Sequence, residues 1–114
     1  MNPTGLILLL GGAIFILAGG VQYKYPPKSI NALYGYRTAR SMRDLTTWKF
    51  AQQYSAIKMM QVGAWLCGLG VLSWIIGFQP SWGIWLALGV VTVFPLLMIL
   101  QVEGELKKRF PNNR

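Results

Sequence analysis

The chain has 114 residues, 54% of them hydrophobic, and carries a net charge of +8 at neutral pH. In a soluble protein such a charge points to nucleic acid. Here, however, all eleven Lys and Arg fall in two blocks, seven between Lys24 and Lys58 and four between Lys107 and Arg114, with apolar sequence between them. The cations therefore answer first to a membrane. Direct nucleic-acid binding is not expected, and anionic phospholipid is the default partner, each Lys or Arg close to an anionic surface contributing roughly 1 kcal/mol. Histidine is absent, Cys67 is the single cysteine, and Asp44, Glu103 and Glu105 are the only acids. This excludes an intrachain disulfide, offers no metal shell, calls for no cofactor and leaves few groups for acid or base catalysis.

Taken in order, Asn2 to Tyr23 is 22 residues without a charge, and Met59 to Val102 is 44 more. A bilayer core needs roughly 20 helical residues per crossing, so the second stretch holds two spans. The expected fold is an all-α membrane protein forming one domain over 1–114, with spans at about 4–22, 59–78 and 82–102 and a motif loop and helix over 23–58. Lys and Arg concentrate on cytoplasmic flanks, which places both basic blocks and the C-terminus inside and the N-terminus and the Gln79-Pro80-Ser81 turn outside. Leu6 to Leu17 followed by Ala18, Gly19 and Gly20 has the look of a secretory signal. It lacks a basic leading region, and cleavage there would strand the first cationic block outside, so Thr4 to Gln22 reads as a retained helix.

Span one closes where Tyr23 and Tyr25 supply interfacial aromatics and Pro26-Pro27 withholds two backbone donors. Lys28 to Arg40 has neither helical nor strand period, and Ser29, Asn31 and Gly35 favour turns. Ser41 to Asp44 has the form of a capping box, with Ser41 as N-cap and Asp44 three residues on. From Met42 to Phe78 no proline intervenes. At about 1.5 Å per residue this exceeds the bilayer core, so residues 45–58 extend span two at the cytoplasmic side or lie in the interface. The extension is the reading adopted. Trp82 and Trp85 mark the outer interface of span three, Pro95 kinks it, and Leu106 to Arg114 forms a short basic tail.

Glycine sets the expected packing. Gly5, Gly12 and Gly19 recur at intervals of seven in span one, as do Gly63, Gly70 and Gly77 in span two. Each set makes one narrow stripe along its helix, and small stripes let backbones approach in lipid. With 13 glycines in the chain, the spacing does not choose between a compact bundle and a homo-oligomer.

The most specific stretch runs from Asn31 through Tyr34-Gly35-Tyr36-Arg37-Thr38 to Ser41, and on to Trp48 and Ala51. It resembles the SdpI family of bacterial membrane proteins, marked by Asn, two residues, Tyr-Gly-Tyr-Arg-Thr, two residues and Ser, then Trp and Ala on the next helix. Ala39 and Gln52 depart from residues common in that pattern, and the best-known members carry extra spans ahead of this unit. The resemblance implies a multi-pass protein of the bacterial cytoplasmic membrane that gives immunity to a secreted peptide toxin. It further implies signalling by sequestration of a cytoplasmic transcriptional repressor.

The residues themselves suggest how such a motif works. Gly35 permits a positive φ, so Tyr34 and Tyr36 splay apart and Arg37 projects between them. A guanidinium there grips a phosphate or carboxylate bidentately, with Thr38 and Ser41 as further donors. The structural alternative has Arg37 capping the end of span one or pairing with Asp44, both tyrosines in the interfacial belt, Asn31 as a turn residue and Trp48 as packing. Gln61, Ser73 and Thr92 lie within spans but each is mild enough to bond its own helix. No charge lies inside any span, which argues against proton-coupled export. Two other classes stand beside the binding reading: a carrier or enzyme acting on lipid headgroups, which the shortage of acids and absence of His oppose, and a structural oligomeric subunit.

The charge blocks generate a first test. In a Cys67→Ala background, a cysteine at Ala39 is expected to resist a membrane-impermeant thiol reagent in intact cells, whereas one at Ser81 reacts. Labelling at Ala39 without lysis would reverse the orientation.

Overall fold

A computed structural model describes residues 2–31 and 33–110. Three helices follow one another: α1 (Pro3–Lys24), α2 (Leu45–Ile76) and α3 (Gly83–Arg109). All three are long and apolar enough to cross a membrane, and no strand occurs among the described residues. Their outward surfaces carry large apolar side chains such as Leu10, Ile14, Leu17, Ile75 and Leu100, as expected where the solvent is lipid.

Local chemistry explains each boundary. Asn2 caps α1, its carboxamide oxygen accepting the Gly5 amide at 2.9 Å, and Pro3 fits the first turn because its missing donor would be unpaired there. Tyr25 ends the helix ahead of Pro26 and Pro27. α2 starts at Leu45, three residues later than the capping-box reading placed it. Asp44, in extended conformation, is the N-cap and accepts the Thr47 amide at 2.8 Å. Ser41 is not the cap, because its hydroxyl is engaged within the preceding loop. Once begun, α2 runs unbroken to Ile76, so residues 45–58 and the apolar stretch after them form one helix. α3 likewise continues past Glu103 to Arg109, with Pro95 inside it; residues 111–114 of the basic tail lie outside the described residues.

α1 and α2 pack antiparallel along the glycine stripes. A Cβ built on Gly12 would stand 2.6 Å from the Gly63 carbonyl oxygen, and one on Gly63 would stand 2.6 Å from that of Gly12. Gly5 and Gly70 oppose each other in the same way, at 3.0 and 2.9 Å, while Gly19 faces the Ala56 carbonyl at 2.8 Å. The stripe of α2 is therefore Ala56, Gly63 and Gly70. Gly77 does not belong to it: at φ +69° it ends α2, with the amides of Gly77 and Phe78 returning to the carbonyls of Trp74 and Ser73. A seven-residue repeat on both helices keeps the contact line in register.

Polar side chains clamp the same pair. Asn2 donates to the Ser73 carbonyl and the Phe78 carbonyl, each at 3.2 Å, and Gln22 donates to the Gln52 carbonyl at 2.9 Å and the Ser55 hydroxyl at 2.8 Å. Such bonds contribute roughly 0.6 kcal/mol each in a bilayer, so contact between the backbones carries most of the association. The apolar core divides in two. Leu8, Leu66 and Ala87 fill the half near the N-terminus, where all three helices meet, whereas Tyr36, Ala51, Met98, Val102 and Leu106 fill the half at the basic end. There the loop after α1 takes the place of a helix.

Substitutions on the stripe separate contact from mere glycine content. Gly12→Ala and Gly63→Ala, each driving a methyl into a facing carbonyl, are expected to cost about 1–3 kcal/mol. Gly89, with nothing near its Cβ direction, should tolerate Ala. Thermal unfolding in detergent checks this; equal stability of all three variants would remove the stripe as the organising contact.

Candidate functional site

Between α1 and α2 the chain folds into a cap over the basic end of the bundle. Asn31 starts it, accepting the amides of Leu33 and Tyr34 at 2.9 and 2.7 Å and donating to the Ser29 carbonyl at 3.0 Å. This is the turn role available to Asn. Tyr34 then reaches back, its hydroxyl donating to the Tyr25 carbonyl at 2.7 Å and so closing the end of α1.

Gly35 follows at φ +102°, and a side chain there would run into the Gln52 carboxamide and the Pro27 ring. Both the conformation and the space demand glycine. Immediately beyond it, the buried Gln52 carboxamide accepts the Tyr36 amide at 2.6 Å and donates to the Tyr36 carbonyl at 2.7 Å. One side chain thus pairs both backbone groups of one residue, as a neighbouring strand would. Trp48, fully buried one turn earlier on α2, donates from its indole to the Pro27 carbonyl at 2.9 Å.

The cap's other anchor is Glu103 of α3. One carboxylate oxygen accepts the Tyr36 hydroxyl at 2.5 Å and the Thr38 hydroxyl at 2.7 Å, and the other lies 3.4 Å from Arg40 Nε. Ser41 and Thr38 lock the turn reciprocally, the Thr38 amide donating to Ser41 Oγ at 2.8 Å and the Ser41 amide to Thr38 Oγ1 at 3.1 Å. Arg43 fastens the start of α2 to the end of α3, donating to the Phe110 carbonyl at 3.1 Å and lying 3.5 Å from Asp44.

Titration behaviour follows from these contacts. Burial, then the bond to Glu103 and its charge, hold the Tyr36 phenol well above the ordinary phenol range. It therefore stays a donor at any physiological pH. Asp44 is lowered, first by the Thr47 amide, consistent with its capping role. Among the described residues no group of His, Cys, Asp and Glu could hold a metal ion.

Of the residues singled out from sequence, Asn31, Tyr34, Gly35, Tyr36, Thr38, Ser41 and Trp48 come together in one unit and are engaged within the chain. Arg37 differs. It is exposed and makes no hydrogen bond or ion pair with another described residue. It neither pairs with Asp44, whose cation is Arg43, nor caps α1, whose terminal carbonyl Tyr34 takes. Gln52 and Glu103, the two residues that hold the cap, were not singled out. Gln52 enters the sequence reading only as a departure from the family pattern, and Glu103 only as one of the three acids. The signal in the sequence is a carboxamide beside Ala51 of the motif and one of three acids in a chain with eleven cations.

The cap makes its own prediction. Glu103→Ala removes two hydroxyl bonds to a carboxylate, of about 1.5–3 kcal/mol each, and a partly exposed ion pair that adds little. Trypsin cleavage after Arg37 and Arg40 is then expected to quicken by about tenfold or more where opening limits the rate. Glu105→Ala, which loses only the exposed Arg109, should leave cleavage unchanged. Equal rates in the two variants would deny Glu103 its anchoring role.

Comparison with known proteins covers this region closely. The profile of the SdpI/YfhL protein family matches residues 28–100, spanning the cap, α2 and most of α3. The uncharacterized protein YfhL of Bacillus subtilis (strain 168) is 48% identical over 69 residues, which is 60% of this chain and 60% of that protein. The chain thus spans less than two thirds of that relative's length. No solved structure matches. With the motif, three spanning helices and a profile match over more than half its length, the chain is a multi-pass membrane protein belonging to the SdpI/YfhL family.

Proposed function

We propose that this protein is a non-enzymatic member of its family in the bacterial cytoplasmic membrane, and that its cap presents Arg37 to an anionic group on a partner at the cytoplasmic face. The roles served are immunity to a secreted peptide toxin and membrane signalling through a captured repressor. One observation carries the reading: Arg37 is exposed, while Tyr36 and Thr38 on either side of it are pinned to Gln52 and Glu103. A cation held out from a fixed backbone loses little entropy on binding, and its planar fork suits a carboxylate or phosphate. Arg37 is thereby set apart from Arg40 and Arg43, which are engaged inside the protein. The cytoplasmic placement of the cap rests on the charge blocks.

The experiment compares Arg37→Lys and Arg37→Ala, with Lys28→Ala as an exposed control from the same block. Arg43 cannot serve as that control because it joins α2 to α3. Survival under challenge with the secreted peptide, at matched expression and membrane insertion, is expected to fall about tenfold or more for both Arg37 changes, since Lys keeps the charge but lacks the fork. A fully protective Arg37→Lys protein would reduce the residue to a topology signal.

A further inference from the structure

A second feature lies away from the cap, between α2 and α3 near the basic end. There the two helices border a groove of about 250 Å³. α2 lines it with Lys58, Gln61 and Trp65, and α3 with Phe94, Leu97 and Gln101, each set at helical spacing on one face. Because the helices run antiparallel, Lys58 and Gln101 stand at the mouth, and Trp65 and Phe94 stand deeper. A second depression, sharing Gln61 and Trp65 with the groove but lined by α2 alone, runs on past Trp65 to Gly68 and Leu72, and nothing lies near the Cβ direction of Gly68. From Lys58 to Leu72 the rise is roughly 21 Å, enough to cross one leaflet, whose hydrocarbon is roughly 15 Å deep.

The polar groups at the mouth have no anionic or hydrogen-bonding partner among the described residues. Lys58 has no carboxylate within ion-pair distance among the described residues, its ammonium lying 5.5 Å from the centroid of the Tyr54 ring. The nearest acids on α3 are already engaged, Glu103 by the cap and Glu105 by Arg109. The carboxamides of Gln61 and Gln101 make no hydrogen bond with another described residue. At the membrane boundary these exposed or half-buried donors are open to a ligand that brings acceptor oxygens, and a charged acceptor bonds them most strongly. A cation and two amides heading an apolar trough one leaflet long match one kind of molecule. It has an anionic head and a long chain; a zwitterionic head would bring its own amine against Lys58.

We propose that the groove between α2 and α3 is a binding site for one anionic glycerophospholipid of the leaflet at the basic end. Lys58, Gln61 and Gln101 hold the phosphate, and one acyl chain lies over Trp65 toward Gly68. The site is independent of Arg37 and of the role assigned to it.

The test uses the full chain purified in detergent, with phosphatidylglycerol and phosphatidylcholine of identical chains as probes and native mass spectrometry as the readout. One phosphatidylglycerol is expected to be retained in preference to phosphatidylcholine. Lys58→Ala should lower that retention about fivefold, and Gln61→Leu with Gln101→Leu should lower it further. Lys107→Ala and Arg37→Ala should leave it unchanged, which separates this site from the cap. Equal retention of the two lipids, or an unaffected Lys58→Ala protein, overturns the proposal. Displacement by glycerol phosphate also overturns it, by marking a site for a free anion. Should the Lys58 variant fail to insert, fluorescence of the parent decides. Brominated phosphatidylglycerol is expected to quench tryptophan more than brominated phosphatidylcholine, and Trp65→Phe should abolish the excess. Persistence of the excess in Trp65→Phe would place the lipid elsewhere.

Discussion

The pairing of the Gln52 carboxamide with the Tyr36 peptide groups is the interaction on which the basic end of the molecule depends. α1 stops at Lys24, yet α2 begins with Leu45 and α3 runs to Arg109, so two long helices would flank an empty third position. A loop laid into that position brings backbone donors and acceptors into a buried place. Each left without a partner costs about 1–3 kcal/mol. Gln52 removes both costs at one residue, and the buried Tyr36 ring then completes the core with Val102 and Leu106. Gly35 is required by the same arrangement, since the carboxamide occupies the space that any side chain there would need.

From this follows the division of labour within the motif. Tyr34, Gly35, Tyr36, Thr38 and Ser41 are consumed in building the cap, as are Asn31 at its start and Trp48 beneath it. Motif residues of this kind specify a shape. What the shape delivers is an arginine directed outward from a segment tied at one side to α2 and at the other to α3. The same ties explain why charge alone is a poor guide here: seven cations share the block, but Arg40 and Arg43 have become structural.

Much of the architecture was legible because lipid imposes long, simple constraints. Charge-free stretches located three helices, Pro26-Pro27 marked where α1 must stop, and the seven-residue repeat on α1 and α2 located the contact that the backbones make. Gly77 shows the limit of that repeat. Glycine at a helix terminus and glycine at a helix contact answer different demands with one residue type, and the interval alone does not distinguish them. Ser41 and Asp44 pose the same difficulty, being two capping residues three apart, and the choice between them turned on Ser41 being drawn into the loop. Glu103 stayed hidden because its partners lie 63 to 67 positions away along the chain. Local pattern carries no information about which acid a folded loop will meet.

α3 stands apart energetically from the other two helices. The buried share of its apolar stretch is the smallest of the three, and its buried small residues, Gly83 and Ala87, lie only near its start. Besides the apolar contacts of Ala87, Phe94 and Met98, it is fixed near its ends, by Gly83 against Thr4 at one and by Glu103 and the Phe110 carbonyl at the other. Lipid offers no hydrophobic force to close the length between, and a surface groove between α2 and α3 is the consequence. The cap and the groove thus share an origin. α1 gives its seven-residue glycine stripe to α2, so at the basic end polar contacts reinforce the hold on α3, and the residues that make those contacts are the ones that fold the loop and leave Arg37 outside.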